Sequence, residues 1–229
     1  MDKQISGKSL TEAYNQQKQF LTKELKHKSI SGYKAAVSSY STQKKLGLLK
    51  PITGVLYAEG LVNNNDTLLL ENFNASKIET EIGYIINKDI QNKIEVVEVS
   101  KFVKAILPVL EIPNITKADA NILETIANNG FSSHYVIGDA IPPKNIDINN
   151  CEVKLYHNET LINTGKATDA MDDQWLTLAT TINNTIENGY SIKKGDLIIT
   201  GALGNILPLE IGTYKAVYDE LGTIDIKVK

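Results

Sequence analysis

A chain of 229 residues, 42% hydrophobic and 22% charged with a net charge of −3, has the composition of an ordinary globular domain. That balance excludes a disordered chain and a strongly basic nucleic-acid-binding surface, and no apolar run approaches the roughly 18 residues of a membrane span. The first ten residues lack the apolar core of a secretory signal, so a cytoplasmic protein is expected, without membrane or nucleic-acid partners. The single Cys151 cannot form an internal disulfide. With only His27, His134 and His157 beside it, no Cys/His zinc cage can be built, and any metal site must use carboxylates. All 24 basic residues are lysine. A substrate carboxylate must therefore meet a metal, a lysine or backbone N–H groups instead of a guanidinium fork.

In chain order, Ser9-Leu10-Thr11-Glu12 has the form of a helix capping box, and Leu10, Tyr14, Gln17, Leu21 and Leu25 follow at helical spacing. Short extended runs come next: 30–37, 54–61, 67–73, 78–86 and 106–112, most of them bounded by Gly, Asn or Pro. A second helix is expected over 117–127, capped by Thr116, and a third over about 173–187, ended by Gly189. Between and after them, 132–137, 152–156, 160–163, 197–200, 214–218 and 223–228 read as strands, with a hairpin turn at Asn158-Glu159. The expectation is an α+β chain, with an N-terminal helical segment over 1–28 and a single β-rich domain over 29–229.

Ile78-Glu79-Thr80-Glu81-Ile82-Gly83 places two glutamates at i and i+2 of an extended segment, so both carboxylates share a face, with Gly83 leaving room beside them. Such a pair either faces water or is held ionised by a divalent cation. Glu111 interrupts the apolar run 106–113, where a lone charge is costly unless it is paired or bound to metal. It either reaches solvent at the strand end or adds a third oxygen ligand, and three carboxylates suit Mg²⁺ or Mn²⁺. Lys34 lies in a largely apolar strand, which either lets it snorkel or lowers its pKa and makes it an acid or base. After a strand, Thr200-Gly201-Ala202-Leu203-Gly204 offers two glycines at which backbone N–H groups can approach a ligand.

Together with Ala13-Tyr14 and Gln17, Gly32-Tyr33-Lys34, Gln43 to Gly47, Gly54-Val55-Leu56 and Tyr135 to Gly138, these stretches resemble the fumarylacetoacetate hydrolase superfamily. The likeness is to its 2-hydroxypenta-2,4-dienoate hydratase and oxalocrotonate decarboxylase branch, and it runs nearly end to end. The resemblance implies a mixed β-roll, with Glu79, Glu81 and Glu111 as metal ligands, Lys34 as the active-site lysine and Gly201, Ala202, Leu203 and Gly204 as the substrate loop. It further implies an Mg²⁺-dependent lyase of aromatic catabolism acting on a small 2-oxo acid or 2-hydroxydienoate through a metal-stabilised enolate, in a homo-oligomer, a dimer or larger. Decarboxylase, keto-enol isomerase and non-catalytic metal-binding homologue are the alternatives. The chain departs from the family pattern at Met171-Asp172-Asp173-Gln174, where a Leu-Gly-His-Pro segment is usual, at Ile52, where an acidic residue is usual, at Asn128-Asn129-Gly130 and at Lys77. Decarboxylation or tautomerisation is therefore expected to be at least as fast as hydration.

Overall fold

The computed structural model describes residues 4–117, 119–144 and 146–229. Residues 1–3 of the expected helical segment and Ala118 of the second expected helix lie outside them.

The first helix, α1 (Gly7–Glu24), is capped by Ser6, whose side chain accepts from the Ser9 N–H at 3.1 Å. Ser9 therefore sits inside the first turn, and the expected box at Ser9 gives way to a cap three residues earlier. α1 buries Ala13, Gln17 and Leu21. The Gln17 amide donates to the Thr53 carbonyl at 2.9 Å and to the Ile126 carbonyl at 3.1 Å, and so latches the helix onto the body.

The strands are β1 (Ile30–Ala36), β2 (Ile52–Tyr57), β3 (Leu61–Val62), β4 (Thr67–Leu68), β5 (Lys77–Ile86), β6 (Val103–Ile112), β7 (His134–Ile137), β8 (Glu152–His157), β9 (Thr160–Lys166), β10 (Leu197–Ile199), β11 (Leu207–Pro208), β12 (Gly212–Tyr218) and β13 (Gly222–Val228). The other helices are α2 (Tyr40–Leu46), α3 (Ile122–Ala127) and α4 (Gln174–Glu187). One mixed sheet runs β2-β1-β10-β5-β6-β7-β3, with β11 on the end of β5, and a second runs β4-β13-β12-β8-β9. β1 and β10 are parallel, while β5 and β6 form a long antiparallel pair. The two sheets share one core, in which Ile82, Ile106 and Leu110 cluster with Leu155, Tyr214, Ala216 and Ile224. β5 and β6 are covered on both faces, which is why their sequences are nearly continuously apolar.

Four local expectations change. The segment 54–61 is broken by a 3₁₀ turn at Ala58–Gly60, and 67–73 holds only the two-residue β4 before another such turn. α3 begins at Ile122, not 117, because Asn121 with Glu124 makes the reciprocal capping box that Thr116 cannot. α2 was not expected from its seven mostly polar residues; Ser39 caps it, and Gly47 ends it in the left-handed region at φ 70.

Candidate metal and substrate site

The carboxylate cluster begins with strand register. Glu79 of β5 stands directly opposite Glu111 of β6, and the period of two brings Glu81 to the same face as Glu79. One oxygen from each of the three glutamates lies within 4.8 Å of the others. Glu81 and Glu111 are buried, whereas Glu79 is half-buried and faces a cavity. Glu81 is held from two sides. Its Oε2 accepts the Gly201 N–H at 2.7 Å. Its backbone N–H donates to the Tyr218 hydroxyl at 3.2 Å, which itself donates to the Val109 carbonyl at 2.6 Å. Tyr218, on β12 of the other sheet, thus stitches β5 to β6 at the cluster.

Lys34 reaches the cluster from β1. Its ammonium pairs with Glu111 and donates to the Gly130 carbonyl at 3.4 Å, and only 2% of the side chain is exposed. The snorkelling alternative is therefore excluded. The lowered pKa expected for Lys34 is also corrected: burial pushes it down, but Glu111, Glu79 and Glu81 together outweigh burial and leave it raised. The carboxylates shift upward as well, which for an acid favours the neutral form. Burial, then Glu111, push Glu79 up to about 7, and burial with Glu111 and Glu79 pushes Glu81 well above the usual range.

One lysine cannot balance three converging carboxylates, two of them buried. Glu81 Oε1 and Glu111 Oε2 are buried with no hydrogen-bond partner among the described residues. Buried acceptors left bare are costly, and hard oxygen donors on three converging acids match the needs of a divalent cation. The residues present therefore fit such an ion.

The cavity beside the cluster has a volume of about 340 Å³ and is lined by Lys34, Glu79, Ser38, Gly130, Ala202 and Gly204, among others. The expected substrate loop is only partly available. Leu203 is buried in the core, its N–H donates to the Thr80 carbonyl, and the Gly204 N–H donates to Asp169 at 2.9 Å. With Gly201 bound to Glu81, Ala202 has the one N–H of positions 201–204 not used by another described residue. Gly83 does not open space for a ligand either: a Cβ there would come within 2.7 Å of Val109 and 2.9 Å of Leu197. Gly83→Ala is accordingly expected to cost about 1–3 kcal/mol by overpacking, read from urea unfolding.

Sequence reading missed what shapes the cavity wall. Val37, a β-branched residue, sits at φ 59, and Asn129 and Phe131 at φ 58 and 55 flank Gly130. Left-handed backbone is strained for Val37 and Phe131 and readily taken by asparagine, and Gln43 helps hold the first turn by donating to the Val37 and Ser38 carbonyls. Asn129 anchors the second turn through both groups of Val55, close enough that a Cβ on Gly54 would lie 2.8 Å from the Asn129 carbonyl oxygen. Ile52 is buried among Ala13, Leu48 and Ile126, so an apolar cluster occupies the place of the usual acid.

The Glu79 shift sets a pH dependence. A carboxyl raised to about 7 in the fold holds its proton more tightly there than in the unfolded chain. Its stabilising contribution is present below about pH 4.5 and is lost as the pH rises to about 7. Metal-free protein is thus expected to be less stable at pH 8 than at pH 5. Mg²⁺ affinity should rise over the same interval, because ligands must lose protons to bind. Urea unfolding in EDTA and calorimetric titration at both pH values check this; a flat profile in both contradicts it.

The fumarylacetoacetate hydrolase C-terminal family model matches residues 29–219. Among curated proteins, a 2-keto-4-pentenoate hydratase of Burkholderia vietnamiensis is 24% identical over 201 residues, covering 85% of this chain and 76% of its own. 2-Keto-4-pentenoate hydratase 3 of Pseudomonas putida is 27% identical over 187 residues, covering 80% and 70%. Among solved structures, 4-oxalocrotonate decarboxylase from Pseudomonas putida G7, complexed with magnesium and adipate, superposes with a TM-score of 0.89 at 19% identity, covering 96% of this chain and 86% of that one. Fumarylpyruvate hydrolase from Pseudomonas aeruginosa, in complex with Mn²⁺ and pyruvate, superposes at 0.70 with 13% identity, covering 86% and 88%.

Proposed function

Since the chain belongs to the fumarylacetoacetate hydrolase C-terminal family, we propose that it is a divalent-metal-dependent lyase acting on a small 2-oxo acid, with Glu79, Glu81 and Glu111 as the metal ligands and Lys34 as the proton-transfer residue. The observation that carries this reading is the pair of unpartnered buried oxygens, Glu81 Oε1 and Glu111 Oε2, in a three-glutamate cluster facing a cavity. Mg²⁺ or Mn²⁺ held there would supply Lewis-acid polarisation of a 2-oxo group. The metal-containing neighbours and the names of the relatives support the same class.

Lys34 has three N–H donors, and Glu111 and the Gly130 carbonyl take two. The third is available to a substrate in the cavity, so Lys34 can protonate a substrate carbon and become the neutral amine. The raised pKa keeps it charged and makes it an acid first. Compensating the three carboxylate charges removes what holds the ammonium up and leaves burial, which brings the lysine toward a range where it also takes protons back. With Ile52 in an apolar cluster and no histidine lining the cavity among the described residues, few groups remain to relay a proton to and from water.

Decarboxylation or enol-keto tautomerisation of a small 2-oxo acid is therefore expected to be at least as fast as hydration of a 2-hydroxydienoate. Parallel assays of all three reactions with Mg²⁺, Mn²⁺ and EDTA test this. Fast metal-dependent hydration with the other two reactions undetectable overturns the order. Silence in all three with metal bound overturns the enzyme reading in favour of a non-catalytic metal-binding homologue.

A further inference from the structure

We infer that the Ser38 hydroxyl is a substrate-positioning group that donates a hydrogen bond to the carboxylate of the bound 2-oxo acid, beside the Ala202 N–H; this rests on the reading of the site given under Proposed function. Ser38 follows the strained Val37 at the end of β1 and is 4% exposed, yet it lines the cavity. No described residue hydrogen-bonds its hydroxyl, although its carbonyl is held by Gln43 and by the Met171 N–H. The backbone is thus fixed on two sides while the hydroxyl is left uncommitted. The hydroxyl oxygen is not among the fully buried unpartnered atoms, so it is accessible from the cavity that Ser38 lines.

The place of that hydroxyl narrows what the partner is. It packs against Gly201, where a Cβ would come within 2.2 Å of Ser38 Oγ, so Gly201 is bare because the serine occupies its side-chain space. The next residue, Ala202, carries the one N–H of the 201–204 loop that no described residue uses, and it also lines the cavity. Two uncommitted neutral donors therefore flank Gly201, whose own N–H holds the metal-ligand candidate Glu81. The chain has no arginine. The other cations lining the cavity are already paired, Lys34 with Glu111 and Lys117 with Glu124. Besides the third N–H of Lys34, a carboxylate entering here meets the serine hydroxyl and the Ala202 amide as uncommitted neutral donors, and hydrogen bonds to a charged acceptor are the strong ones.

The experiment uses oxalate, a small anion with a carboxylate beside further oxygen donors, titrated calorimetrically into Mg²⁺-saturated protein. Ser38→Ala is expected to weaken oxalate about 10- to 100-fold while leaving Mg²⁺ affinity and the thermal midpoint of the metal-free protein unchanged, since the hydroxyl bonds no protein group. Ser38→Thr, which keeps the hydroxyl, is expected to restore most of the affinity. Thr42→Ala, which removes an exposed hydroxyl at the cavity rim, is expected to stay within about twofold of wild type. Oxalate affinity unchanged in Ser38→Ala, with Mg²⁺ binding intact, overturns the assignment alone. Mg²⁺ affinity falling in step with oxalate affinity also overturns it, because the serine then acts on the metal site. Wild-type protein that binds neither Mg²⁺ nor oxalate overturns the functional reading and this assignment together.

Discussion

In EDTA at pH 8, Lys34→Met is expected to lower the unfolding free energy by about 3–5 kcal/mol, and with saturating Mg²⁺ to recover most of that stability but no turnover. By volume alone methionine fits the lysine site. The cost is electrostatic. Lys34 is the cation paired with buried Glu111, and Glu79 and Glu81 also act on it across the cluster. Removing it leaves three carboxylates facing one another without a counter-charge, and the fold must either bear their repulsion or bind protons. A divalent cation answers the same charge, so metal should rescue stability; it supplies no proton donor, so activity should stay lost. Urea unfolding with EDTA or Mg²⁺, alongside an assay of whichever reaction wild type performs, gives both readouts. An active variant refutes the proton-transfer role, and a metal-free variant as stable as wild type refutes the counter-charge role.

Glu81→Gln is expected to separate metal binding from folding in the opposite direction. Calorimetry should show Mg²⁺ affinity falling by at least about 100-fold, beyond the 10- to 100-fold typical of groups that only support a ligand. The metal-free variant should be at least as stable as wild type at pH 8. The ionised Glu81 is disfavoured first by burial and then by Glu111 and Glu79, and a glutamine oxygen can still accept the Gly201 N–H. Replacing a buried uncompensated charge by a neutral isostere removes a penalty without removing that hydrogen bond. Glu111→Gln should differ, because it breaks the pair with Lys34 and leaves the lysine with less to hold its charge. Glu81→Gln protein that keeps Mg²⁺ affinity, or unfolds in EDTA well before wild type, would contradict this account of the cluster.

Both contrasts turn on where local pattern stops being informative. The period of two was enough to put Glu79 and Glu81 on one face, and the apolar setting of Glu111 was enough to mark it as costly. Helix α4, with Asp173 as its cap, was equally legible, because caps and side-chain period are properties of neighbours in sequence. The same information could not tell Ser6 from Ser9 as the first cap, since both precede an equally helical run.

Four features were decided by strands that meet only in the folded chain. Glu79 opposes Glu111 through the register of β5 with β6. Tyr218 joins those strands from the other sheet. The side chains of Val109 and Leu197 fill the space that Gly83 seemed to offer. Ser38 of the β1 end covers Gly201 of the β10 end. The charge of Lys34 follows the same division. Its apolar strand neighbours alone argue for a lowered pKa, and burial does act in that sense. The three carboxylates that reverse it arrive from β5 and β6, 45 to 77 positions along the chain. Local sequence therefore determined which residues carry charge and which face they share, whereas tertiary packing alone decided the sign of each shift, because a buried group responds to the sum of charges around it in space.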